Sequence, residues 1–106
     1  MKASDDKLVG REGEPGKMEC RFEIVNRLGL HARAAAKLVR LANGFSSEIR
    51  LSREGVEVNG KSIMGVLMLA AHRQSHVLVS AEGPDAREAV EAIGALIARK
   101  FEEEEE

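Results

Sequence analysis

From Met18 to Ile24 the chain alternates strictly, with Met18, Cys20, Phe22 and Ile24 on one face and Glu19, Arg21 and Glu23 on the other. A period of two predicts a half-buried β-strand. From Ala32 to about Leu41 the period lengthens. Alanines with Leu38, Val39 and Leu41 supply an apolar stripe, and Asn43-Gly44 supplies a stop, which together predict a helix. Two short strands follow, Ser47 to Leu51 and Val56 to Val58, joined through Ser52-Arg53-Glu54-Gly55 as a hairpin. Ser62 then stands immediately before the apolar run Ile63 to Leu69 and is the expected N-cap of a second helix. Ser75 to Ala81 reads as a further strand, closed by Glu82-Gly83-Pro84-Asp85. Ala86, Ala89, Val90, Ile93, Leu96 and Ile97 repeat at helical spacing, with Arg87, Glu88 and Glu91 outward and Gly94 as a slightly weakening position in the middle.

This order of elements predicts an α+β domain, a four-stranded, mainly antiparallel sheet with three helices on one face. Residues 1–17 lack periodicity and are rich in Gly and charge, so a disordered extension is expected there. The domain is expected over 18–101. The acidic tail 102–106 places like charges at the negative end of the last helix and is expected to fray into solvent.

Composition narrows the function. A chain of 106 residues buries only a modest core, so a surface site is expected rather than a deep cleft. A formal net charge of −2, no Trp or Tyr and three Phe argue against nucleic acid as a partner. The single cysteine, Cys20, lies on the buried strand face and reads as a small core residue. Neither a signal peptide nor a membrane-inserting stretch is evident, so a cytoplasmic setting is the expectation. No metal-ligand spacing, nucleophilic triad or phosphate loop is present, and His72 and His76 read as surface loop residues. No cofactor or metal is expected.

The chemistry concentrates at Gly29-Leu30-His31-Ala32-Arg33-Ala34-Ala35-Ala36, where a histidine stands between a strand and a helix. Imidazole is a nucleophile, and the first turn of a helix offers unpaired N–H groups at the positive end of its dipole. Arg33 adds a cation whose fork of donors suits phosphate oxygens. Arg33, Lys37 and Arg40, spaced by four and then three, form a basic row leading away from His31 that can steer acidic partners. The short apolar helix after Ser62 cannot bury every side chain, so Ile63, Met64, Leu67 and Met68 are candidates for a docking patch.

Asn26-Arg27-Leu28-Gly29-Leu30-His31-Ala32-Arg33 resembles the active-site segment of the HPr family, the histidine-containing phosphocarriers of the bacterial phosphotransferase system. Asn59-Gly60-Lys61-Ser62-Ile63-Met64-Gly65-Val66-Leu67-Met68-Leu69 resembles the family's regulatory-serine segment, in the right order. The resemblance runs from about Met18 to Phe101. It implies an open-faced sandwich and a carrier, not an autonomous enzyme. In that carrier His31 accepts a phosphoryl group on Nδ1 from phospho-enzyme I and passes it to an EIIA-type domain, with Arg33 as the active-site arginine. It also implies Ser62 as the target of an HPr kinase in bacteria that possess one. Ala32, Lys37, Arg40, Ile63, Met64, Leu67 and Met68 are the expected partner-binding positions, and a monomer is the default expectation. The chain departs from the family at Ala34, where many relatives have proline. It also departs in the turn Ala71 to His76, which lacks a glycine often found there. The competing reading is an HPr-type regulatory protein that acts through the Ser62 face without a role in sugar transport.

Overall fold

In a computed structural model, which describes residues 8–10 and 16–103, the alternating segments become strands β1 (Leu8–Gly10), β2 (Lys17–Glu23), β3 (Glu48–Arg53), β4 (Val56–Asn59) and β5 (His76–Glu82). The longer-period segments become helices α1 (Ala32–Ala42), α2 (Ile63–Met68) and α3 (Ala86–Ala98). The sheet is antiparallel throughout in the order β1-β2-β5-β3-β4. β5 lies at its centre, with Cys20 opposite Val79 on one side and Leu51 opposite Val79 on the other.

The four expected strands and three helices are all present. A short fifth strand, which the sequence pattern did not suggest, pairs Leu8 with Cys20 and Gly10 with Met18. The segment expected to be disordered thus includes three residues of sheet, and its remainder, 1–7 and 11–15, lies outside the described residues. The hairpin turn is also tighter than expected. Ser52 and Arg53 extend β3, leaving Glu54 and Gly55, both at positive φ (51° and 84°), to make the reversal.

The face of the sheet carrying Met18, Cys20, Ile49, Leu51, Val58, Val77, Val79 and Ala81 is buried beneath the helices. α3 covers β2, β5 and β3, while α1 packs between α2 and α3. Gly94 has a positive role in this layer. A Cβ there would stand 2.3 Å from the Phe22 ring, so the missing side chain is what lets α3 approach β2.

Asp85 ties the start of α3 to the segment that leads into β3. Its carboxylate accepts hydrogen bonds from the Ser46 amide (2.9 Å), the Ser47 amide (2.9 Å) and the Ser47 hydroxyl (2.5 Å). The Ser47 hydroxyl first, and the Ser46 amide next, hold its carboxyl below the usual value near 3.8. A group whose pKa is depressed by folding stabilises the fold above its unfolded value and ceases to do so as pH falls through its folded value. Stability should therefore decline on acidification below about pH 4. In Asp85→Asn that part of the decline should be absent and stability at neutral pH lower, as read by urea unfolding across a pH series. An unchanged pH dependence in the variant would refute the assignment.

The C-terminus departs from expectation. α3 is followed by a left-handed turn in which Lys100, Phe101 and Glu102 have φ of 59°, 56° and 62°. Phe101 is wholly buried. Glu102 and Glu103, expected to fray with the rest of the tail, are instead placed by this turn; Glu104, Glu105 and Glu106 lie outside the described residues.

Candidate functional site

The turn from β2 to α1 is built to deliver a histidine to the head of a helix. Ile24 exchanges backbone hydrogen bonds with the segment after α2, donating to the Ser75 carbonyl (2.9 Å) and accepting from the Gln74 amide (2.7 Å). Leu30 donates to the Ala71 carbonyl (2.9 Å). Between these points the chain reverses through Gly29 at φ +69°, pressed against the 71–72 backbone so closely that a Cβ would lie 2.6 Å from the Ala71 oxygen. Asn26, wholly buried, closes the turn by donating from Nδ2 to the Gly29 carbonyl (2.8 Å).

His31 is the N-cap of α1, in extended backbone geometry, and its side chain does not cap the helix. Its carbonyl accepts the first helical bond, from Ala35 (2.8 Å). The amides of Ala32, Arg33 and Ala34 have no acceptor among the described residues, as expected for a first helical turn. His31 and Arg33 therefore stand beside a set of uncommitted donors at the positive end of a helix of eleven residues. Arg33 is exposed and has no ion-pair partner among the described residues. Ala34, in the same turn, is wholly buried.

The remaining expected site residues fall into different environments. Arg40 and Ala32 are exposed. Lys37 is not a free member of the basic row, because its Nζ donates to the Phe101 carbonyl (2.7 Å) and clamps the C-terminal turn to α1. Ile63, Met64 and Met68 are exposed as expected, whereas Leu67 is half-buried against the core. Leu28, in the turn ahead of His31, is 63% exposed and joins the apolar residues available for contact. Ser62 caps α2, its Oγ accepting from the Gly65 amide (3.0 Å).

His72 and His76 are exposed. His72 lies between the Arg53 guanidinium (3.3 Å) and the Arg73 carbonyl (2.9 Å). Among the described residues no group of His, Cys, Asp and Glu could hold a metal ion, and no helix is long and apolar enough to cross a membrane.

Two residues escaped sequence reasoning. Glu103, from the far end of the chain, presents Oε2 to His31 Nε2 and Oε1 to Asn26 Nδ2 (3.2 Å). Asn26 belongs to the segment that carries the family resemblance, yet nothing local marks it as the bridge between the turn and the tail. A run of identical glutamates gives no signal that one member folds back across a sequence separation of 72 residues.

Residues 18–99 match the family model described as PTS HPr component phosphorylation site. The Phosphocarrier protein HPr of Cupriavidus necator is 55% identical over 82 residues, spanning 77% of this chain and 92% of that protein. The Phosphocarrier protein NPr of Proteus mirabilis is 45% identical over 85 residues, spanning 79% and 94%. Among solved structures, HPr-C-His from Thermoanaerobacter tengcongensis superposes with a TM-score of 0.79 at 46% identity, covering 82% of this chain and 98% of the other.

Proposed function

The chain belongs to the HPr family of phosphotransferase-system phosphocarriers, and on that premise we propose that His31 is the residue that carries the phosphoryl group. The observation that carries this reading is the coincidence of nucleophile and anion site: His31 caps α1 beside the unpaired amides of Ala32, Arg33 and Ala34. Helix amides and the Arg33 guanidinium stabilise phosphate charge without a covalent hold on it. The domain 18–101 carries the proposed acceptor and docking residues. The protein receives the group from phospho-enzyme I and delivers it to an EIIA-type acceptor in the cytoplasm, acting as a monomeric carrier with no cofactor. Nδ1 attacks the donor's phosphorus, the donor's N–P bond breaks, and the electron pair returns to the donor nitrogen. A small open site of this kind leaves most of the rate acceleration to the partner's active site.

Docking falls to side chains that water already reaches, namely Leu28, Ile63, Met64 and Met68, with Ala32 beside the histidine and Arg40 to steer an acidic surface. Leu67 supports this patch from beneath, and Lys37 contributes by fixing the tail. The test is intact mass after mixing with enzyme I, Mg²⁺ and phosphoenolpyruvate. One phosphoryl group is expected, lost in acid and located to His31. No adduct with a competent enzyme I from the same organism would overturn the carrier reading in favour of a regulatory protein acting through the Ser62 face.

Ser62 is proposed as a regulatory position for an HPr kinase. Its hydroxyl accepts a hydrogen bond at a helix N-terminus, where added negative charge is locally tolerated. The cost of that charge falls on docking, because it adjoins exposed Ile63 and Met64. Ser62→Asp is expected to slow phosphoryl acceptance from enzyme I by about tenfold, the scale of about 1.4 kcal/mol of like-charge repulsion at an acidic interface. Ser62→Ala should leave transfer intact and lower stability by about 1 kcal/mol through loss of the cap. Equal transfer rates for Ser62→Asp and wild type would remove the regulatory role.

A further inference from the structure

The C-terminal segment reaches the histidine by a route too constrained to be incidental. α3 ends at Ala98 and the chain turns left-handed through Lys100, Phe101 and Glu102, an arrangement that costs about 1–2 kcal/mol per residue without glycine. Complete burial of Phe101 offsets part of that cost, and Lys37 holds the Phe101 carbonyl. Two residues later the Glu103 side chain, only 10% exposed, spans His31 and Asn26. Because a carboxylate can only accept, His31 must donate from Nε2–H. In the neutral ring the lone pair is then on Nδ1, which has no hydrogen-bond partner among the described residues. Glu103 occupies neither the first-turn amides nor Arg33, so the anion site stays open beside it.

From this geometry we infer that Glu103 is a positioning residue for phosphoryl transfer, fixing the Nε2–H tautomer and orientation of His31 so that Nδ1 faces the donor. The inference rests on the reading of His31 as phosphoryl acceptor. As the Nδ1–P bond forms and the donor's bond to phosphorus breaks, the proton stays on Nε2. The ring becomes a phosphoimidazolium whose positive charge lies against the Glu103 carboxylate. The carboxylate thus stabilises the product ring more than the neutral ring, which favours acceptance of the group. Asn26, donating to both Gly29 and Glu103, holds the carboxylate in register with the turn.

The test compares the full-length protein with Glu103→Ala and Glu103→Gln, using phospho-enzyme I as one donor and phosphoramidate, which needs no docking surface, as another. Glu103→Ala should accept from either donor about tenfold more slowly, with KM for enzyme I unchanged. Glu103→Gln, whose amide oxygen can still accept from Nε2–H but carries no charge, should fall between. Nitrogen-15 spectra of the unphosphorylated ring should show the Nε2–H tautomer diluted by Nδ1–H in Glu103→Ala and retained in Glu103→Gln. Unchanged rates and tautomer with a lowered Tm would reduce Glu103 to a structural strap and overturn the inference. Faster acceptance in Glu103→Ala would overturn it in favour of an obstructing tail. Failure of the wild type to acquire any adduct would instead count against His31 as acceptor, while the tautomer would still report whether Glu103 sets the ring.

Discussion

Replacing His31 with alanine is expected to abolish the acid-labile phosphoryl adduct, lowering acceptance from enzyme I by at least about three orders of magnitude, the scale of losing a nucleophile outright. No other histidine among the described residues stands ready to substitute. His72 is engaged by Arg53 and by the Arg73 carbonyl, and His76 opens β5 rather than a helix. The fold should survive the change, because the His31 side chain makes no capping bond and its partner Glu103 keeps the Asn26 hydrogen bond. Far-ultraviolet circular dichroism and Tm should therefore stay close to wild type while intact mass records no transfer. Persistence of an acid-labile adduct in His31→Ala would place the acceptor elsewhere and dissolve the argument built on α1.

The second large effect is expected at Gly29. Alanine there would bring Cβ to 2.6 Å from the Ala71 oxygen and 2.9 Å from the His72 Cα, both backbone atoms, in a residue held at φ +69°. Left-handed strain and overpacking add, and a loss of about 2–5 kcal/mol is expected. Relief must come through separation of the two backbone segments, which would break the Leu30 to Ala71 hydrogen bond and shift His31. A displacement of about 1 Å can cost about 100-fold in reaction rate. Gly55 supplies the control, having φ +84° and open space, with nothing within 4 Å of where a Cβ would stand. Its replacement by alanine should cost only the conformational part, about 1–2 kcal/mol. Urea unfolding of both variants, with hydrogen exchange at the Leu30 amide, separates the two contributions. Equal losses at the two glycines would show that crowding at the turn is not the cause.

Much of this architecture was legible because the determining interactions are periodic or local. Strict alternation over Met18 to Ile24 marked β2, the 3.6-residue repeat over Ala86 to Ile97 marked α3, and Ser62 before an apolar run marked the cap of α2. The position of His31 at the head of α1 was likewise legible from a local arrangement of histidine and helix start. Contacts between residues far apart left no such trace. The three residues of β1 gain their structure from the edge of β2, and Gly94, which looked like a weak point in a helix, is fixed by the Phe22 ring across the layer. Lys37 had the spacing of a steering cation but finds a carbonyl from the other end of the chain. Glu103 is the clearest case. Local electrostatics favours an unravelled polyglutamate end, whereas burial of Phe101 two residues earlier decides its position.

The central placement of β5 bears on when the protein becomes reactive during its synthesis. β2, which leads into the histidine turn, has its long ladder with a strand that begins at His76, and the turn itself leans on Ala71 to Ser75. Such pairings form late because the intervening chain must first be ordered. A nascent chain that has emerged only as far as α1 therefore displays the histidine without the geometry around it. Assembly of the turn around His31 waits for the second half of the polypeptide, on which its backbone contacts and the Glu103 contact depend. A phosphoryl donor that recognises the assembled surface would thus discriminate finished molecules from partly translated or unfolded ones without any separate quality-control step.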